Sequence, residues 1–186
     1  MNRFTFTENS RYPKSSSLVK EAVVLAESIL DSDEFYESIA SKPEYDMADI
    51  SSEELAKTIK NFDKHANINV KKLGFLAYGA TRGDTFTINV RKLISWKGIP
   101  KRSIPSLVGT IIHEYIHVVD NNVEASFAHG DNKPTGKENT APYYIGRLGV
   151  EFANSKVDNP PDDVVELIIA SSLASTDIVT LEEDFV

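Results

Sequence analysis

Two hydrophobic periods take turns along the chain. Over 18–30, Leu18, Ala22, Leu25, Ala26 and Ile29 recur three and four residues apart while Glu21 and Glu27 fall off that stripe, which predicts an amphipathic helix. Phe35, Tyr36 and Ile39 predict a short helix or a docking loop over 31–41. Ser51 or Ser52 followed by Glu54 reads as an N-terminal cap, and Leu55, Ile59 and Phe62 then place a second helix at about 52–63.

From there the period shortens. Residues 68–78 are apolar and β-branched enough for one or two strands, broken near Gly74. The clearest alternating strand is 85–90, TFTINV, with Thr85 and Val90 at its ends. Thr81, Arg82, Gly83 and Asp84 supply a turn, so a hairpin is the simplest connection between the two stretches. In the polar N-terminal segment Phe4 and Phe6 alternate as a short edge strand would.

The helical period returns at 105–119, PSLVGTIIHEYIHVV, with Leu107, Val108, Ile111, Ile112, Ile116 and Val119 apolar, Ser103 available as a cap and Pro105 in the first turn. Between strand and helix, Trp96, Gly98 and Pro100 predict a compact crossing. A further helix opens at Asn139 or Thr140, with Pro142 in its first turn and Tyr144, Ile145, Leu148 and Phe152 on one stripe. Pro160 and Pro161 break the chain before a last helix over about 162–172. The elements predict one α+β domain over 1–186, a small mixed sheet packed against helices with the 105–119 helix behind it.

That helix also carries chemistry. His113 and His117 stand four residues apart, so their imidazoles project from one face and can share one metal ion, while Glu114 can reach a water at that ion; the pattern H-E-x-x-H is complete. A catalytic zinc site takes three protein ligands and leaves one position open. Candidates for the third are Asp120, Glu124, His129, Asp131 and Glu138. His129 is favoured, because an imidazole suits a borderline metal and the 11 residues between it and His117 are enough chain to turn back. Asp120, one turn beyond His117, suits an acceptor that orients an imidazole or ties the following loop, or a solvated helix end. Of the adjacent phenols Tyr143 and Tyr144, the latter is taken as the candidate donor to the oxyanion of a tetrahedral intermediate.

Composition narrows the choice. The absence of cysteine excludes a disulfide framework and any thiolate ligand, so a metal must be held by His, Asp, Glu or water. A net charge of -8 argues against a general nucleic-acid binder. The one notable basic run, Arg91, Lys92, Lys97, Lys101 and Arg102, reads as a solvated face or as a site for an acidic substrate or phosphate. No apolar run reaches the roughly 18 residues of a membrane span, and the first residues, MNRFTFTENSRYPK, lack the apolar core of a secretory signal. A cytoplasmic location is therefore expected, with release by another route left open.

The chain resembles the zincin-like metallopeptidase fold, in particular small metzincin-related bacterial and phage-type domains. The matching pieces are Ile88-Asn89, Trp96, Thr110 with His113-Glu114-Tyr115-Ile116-His117, Phe127-Ala128-His129, and Tyr143-Tyr144-Ile145-Gly146. The resemblance implies that His113, His117 and His129 bind Zn2+ and that Glu114 is the base. It departs from the metzincin spacing, which would put glycine and histidine where Asp120 and Val123 stand, and Met1 and Met47 both precede the helix, so a Met-turn is missing. The function expected is zinc-dependent hydrolysis of peptide or amide bonds, with a peptide or protein substrate bound as an added strand along 85–90. The alternatives are a metal-stabilised binding domain without turnover and an effector protease that cleaves one target.

Overall fold

A computed structural model of the chain describes residues 3–129 and 136–158. The chain divides into two compact units, 1–153 and 154–186, and every strand among the described residues belongs to the first. The helix expected over 162–172 lies outside the described residues, as does Asp131.

Among the described residues five α-helices and four strands appear in the order β1 (Phe4–Phe6), α1 (Pro13–Leu30), α2 (Asp33–Ala40), α3 (Ser52–Lys60), β2 (Ala66–Lys71), β3 (Gly79–Arg82), β4 (Thr85–Asn89), α4 (Ile104–Asp120) and α5 (Ala141–Asp158). The α+β expectation holds. Helix α1 starts five residues before Leu18 because polar Ser15 and Ser16 lie on its buried side, where Ser16 accepts a hydrogen bond from the Asn9 backbone, a feature that apolar periodicity cannot register. Ser51 and Ser103 cap α3 and α4 as their positions suggested, each side chain accepting from the backbone N–H three residues on.

The sheet runs β1-β2-β4-β3, with β1, β2 and β4 parallel and β3 antiparallel to β4. This corrects two expectations. The hairpin joins β3 to β4 across Gly83, which takes the left-handed backbone the turn requires (φ 60°), whereas the 66–71 strand lies parallel to β4 on its other side. The strand over 85–90 is consequently interior, its backbone groups engaged on both edges, and the edge strand that packs on α4 is β3. Alternation hid this, since it reports which face of a strand is buried and says nothing of its neighbours.

One face of the sheet forms the core. Ile68 pairs with Phe86 and Val70 with Ile88, and all four are buried. Helices α1 and α4 pack against each other and against the sheet, α4 on β3 and β4. Tyr115 of α4 meets Phe4 edge-on at 5.3 Å, and Phe4 meets Phe86 at 6.2 Å, so helix, first strand and central strand share one aromatic cluster. Each such fully buried side chain contributes about 1.5–3 kcal/mol, which fixes the rotation of α4 and therefore the direction its histidines face.

Asn89, fully buried at the end of β4, organises the segment leading to β3. Its amide donates to the carbonyls of Gly74 and Ala77 at 2.9 and 2.7 Å and accepts from the backbone of Leu73 and Arg91 at 3.1 and 3.2 Å. The crossing at 94–100 is tight, with Ile94 bridged to Pro100 and Gly98 at φ 77°, yet Trp96 is 91% exposed and serves no core. No helix among the described residues is long and apolar enough to cross a membrane.

Candidate metal centre

Helix α4 presents half-buried His113 and His117 to the cleft while Ile112, Tyr115, Ile116 and Val119 enter the core, a division enforced by the 3.6-residue period. The loop after α4 brings back His129. Its Nε2 lies 3.1 Å from that of His117 and 3.5 Å from that of His113. A tetrahedral ion with bonds of about 2.0–2.1 Å separates its nitrogen ligands by about 3.3 Å, a value these two distances bracket. Among the described residues these three histidines are the one group placed to hold a metal ion. Glu124 and Glu138 are exposed and outside it, so of the described candidates for third ligand His129 is the one brought to the pair.

The electrostatics fit a cation. Burial, followed by the neighbouring imidazoles His117 and His129, pulls His113 down to about 3; burial and then His129 pull His117 down to about 4. Both are neutral at pH 7, the form that donates a lone pair. Three ring nitrogens this close are reconciled either by an N–H···N hydrogen bond between neighbouring rings or by a cation held between their lone pairs. His113 also has a hydrogen bond to the backbone of Pro142. Proline lacks an N–H, so the ring must donate to its carbonyl, the kind of outer contact that sets a metal-binding imidazole's tautomer.

Glu114 points to the sheet side of the helix, 7% exposed. Thr81 of β3 donates to its Oε2 at 2.6 Å, and burial outweighs that bond, pushing the carboxyl up to about 7. Strand β3 passes so close that a Cβ on Gly79 would stand 2.5 Å from Glu114 Oε1, so any side chain there would have to push the Glu114 carboxylate from its place. Across the site α5 approaches α4 at a second such contact: a Cβ on Gly146 would lie 2.8 Å from the carbonyl oxygen of Gly109 and 3.1 Å from the Cβ of His113.

Of the two adjacent phenols, the one beside the histidines is Tyr143, whereas Tyr144, the candidate taken from the sequence, lies away from them. The Tyr143 ring packs on His113 and His129 with centroids 4.6 and 4.9 Å away and lines the cleft. Tyr144 lies edge-on against Tyr45 at 5.5 Å, with Lys42 and Arg147 over its faces, and is absent from the cleft lining. Successive helical residues diverge by about 100°, and the α5 stripe that buries Ile145 and Leu148 puts Tyr143 on the metal side. The sequence offered both phenols and no means of choosing. Thr81 was missed entirely; it stood in an expected turn, and nothing local marks it as a partner of a residue 33 positions away.

Asp120 ties the loop. Its Oδ1 accepts from the backbone N–H groups of Phe127 and Ala128 at 2.7 and 3.0 Å, while Phe127 is fully buried and Ser126 exchanges hydrogen bonds with Asp49. His129 is therefore positioned through Asp120. Charge-assisted bonds of this kind are worth about 1.5–3 kcal/mol, so Asp120→Ala is expected to weaken metal binding by roughly 10–150-fold. Competition with a chromophoric chelator measures this, and unchanged affinity would show that Phe127 and Asp49 suffice to hold the loop.

The three histidines, Glu114 and Tyr143 open into a cleft of about 930 Å³, bounded on one side by residues 76–81 and on the other by Gly146, Arg147, Val150 and Glu151. Compared with protein-family models, curated proteins and solved structures, the chain matches none.

Proposed function

We propose that the protein is a zinc-dependent hydrolase of peptide bonds on a zincin-like fold, with His113, His117 and His129 as ligands and Glu114 as general base. One observation carries this reading: three convergent imidazole nitrogens and a carboxyl pushed up to about 7 share one open cleft. An all-imidazole, thiolate-free donor set suits Zn2+. Held there, Zn2+ supplies Lewis-acid polarisation of a carbonyl and makes water more acidic.

The chain's own groups account for the rest. Glu114 takes a proton from the attacking water and returns it to the leaving nitrogen, and a value near neutrality serves both transfers; a bound cation lowers that value and favours the base form. Thr81 fixes one carboxylate oxygen, which limits the rotation of the other. Tyr143, in contact with two ligand rings, is the phenol placed to donate to the developing oxyanion. The edge strand β3, whose Gly79, Ala80 and Thr81 line the cleft, can accept an extended peptide as a further strand.

The test is metal analysis of the purified protein together with cleavage of a mixed peptide pool before and after chelation. About one zinc per chain is expected, with cleavage lost on chelation and restored by Zn2+. A zinc-loaded protein that cuts neither the pool nor a mixture of denatured proteins would leave a metal-stabilised binding domain in place of the hydrolase.

A further inference from the structure

Beside the metal cleft lies a second, smaller cavity of about 260 Å³, lined by Phe75, Tyr78, Arg91, Lys92, Lys101 and Arg102. Tyr78 and Arg102 also line the cleft, so the two spaces adjoin. Four cations therefore surround one cavity with no carboxylate in its lining. In a chain of net charge -8 this is contrary to expectation, because acids are abundant enough to pair surface cations. The ion pairs among the described residues are Arg3–Asp31, Lys20–Glu8 and Lys60–Asp33, and none of the four cations takes part in them.

The cations are held in place. Lys92 Nζ sits 4.8 Å from the Phe75 ring centroid and 5.0 Å from that of Tyr78, and the Arg102 guanidinium lies 5.0 Å from Tyr78. Arg102 is anchored further through Ser106 and Thr110 on the first turns of α4, its Nη2 bonding the carbonyl of Ser106 and both hydroxyls. Its Nη1 is buried without a hydrogen-bond partner among the described residues, so part of the guanidinium's donor capacity is unused within the protein. Phe75 and Tyr78 remain 72% and 52% exposed, as walls for a ligand's apolar stem rather than core.

We infer that this cavity is a specificity subsite for an anionic side chain of the peptide substrate, the carboxylate of Asp or Glu or the phosphate of a phosphorylated residue. Arg102, anchored on the first turns of α4, brings its guanidinium charge to the lining, Lys92 and Lys101 add theirs, and the two rings cover the methylene stem. The basic run, for which a solvated face is the usual reading in the sequence, is thereby divided: Lys97 stacks on exposed Trp96 at 5.1 Å, outside the cavity, while the other four line it. The assignment rests on the cleft being a peptide site, yet it can be tested without turnover.

Zinc-loaded Glu114→Gln protein is titrated by calorimetry with decapeptides of alanine carrying several Glu, Gln, Lys or phosphoserine residues. The Glu peptide is expected to bind about tenfold more tightly than the Gln peptide, the Lys peptide more weakly than either, and the Glu preference to fall to near one in a Lys92→Ser, Lys101→Ser double variant. Lys101 is exposed and Lys92 half-buried, and neither belongs to the core, so folding is expected to survive, and Arg102→Met provides a second variant on the helix side. The phosphoserine peptide separates the two sources of charge: tighter binding than the Glu peptide assigns the subsite to phosphate, equal or weaker binding to carboxylate. Equal affinity for Glu and Gln peptides, or a Glu preference that survives both variants, overturns the subsite. Failure of hydrolysis with the Glu preference intact instead overturns the peptidase reading alone.

Discussion

Glu114→Gln protein is expected to retain its zinc and lose roughly 10²–10⁴-fold of its turnover, the span that a positioned general base contributes. Gln has the size of Glu, and its amide oxygen can still accept from Thr81 Oγ1, so the packing of α4 against β3 should survive. The amide cannot take a proton from water. A carboxyl pushed up to about 7 by burial is also a cost to the fold that the amide avoids, so the variant should be no less stable than the parent. Cleavage of a preferred peptide, with metal content and melting temperature in parallel, gives the answer. A variant that cleaves at the parental rate would remove Glu114 from the mechanism whatever its metal content.

His117→Ala carries the other large effect, on binding. Removing one of three nitrogens leaves two ligands and a buried gap, and the added stability that comes from metal should vanish with the affinity. A ligand at about 1,000 times its dissociation constant stabilises the native state by about 4 kcal/mol, which for a chain of this size corresponds to a rise of roughly 8–16 °C in melting temperature. The parent should show that rise on addition of Zn2+ and the His117→Ala protein almost none. The same loss is expected for His129→Ala, with a smaller change in the metal-free melting temperature, since His129 sits on a loop and His117 on the core helix. Retention of the full rise in His129→Ala would assign the third ligand elsewhere and leave the α4 pair untouched.

Much of the site was legible because it is local. A spacing of four on a helix places two side chains on one face however the rest of the chain folds, so His113, His117 and the adjoining Glu114 follow from sequence and helical geometry alone. His129 was favoured on ligand chemistry and loop length, and the structure brings its Nε2 to within 3.5 Å of both partners. Asp120 could be placed near the end of the helix, but whether it faced a ring, a loop or solvent needed the path of residues 121–129.

What the sequence by itself determined is therefore whatever repeats within a turn or two of backbone: the helices and the longer strands, though not the short edge strand β3, their buried faces, the caps at Ser51 and Ser103, and the paired histidines. Tertiary structure alone decided which strand stands at the edge, that Tyr143 rather than Tyr144 reaches the imidazoles, that Thr81 bonds Glu114, and that four of five basic residues enclose a cavity. The reason is physical. Periodicity encodes the direction of a side chain relative to its own element, whereas each of these outcomes depends on which other element lies opposite, and that is fixed by the packing of the whole core.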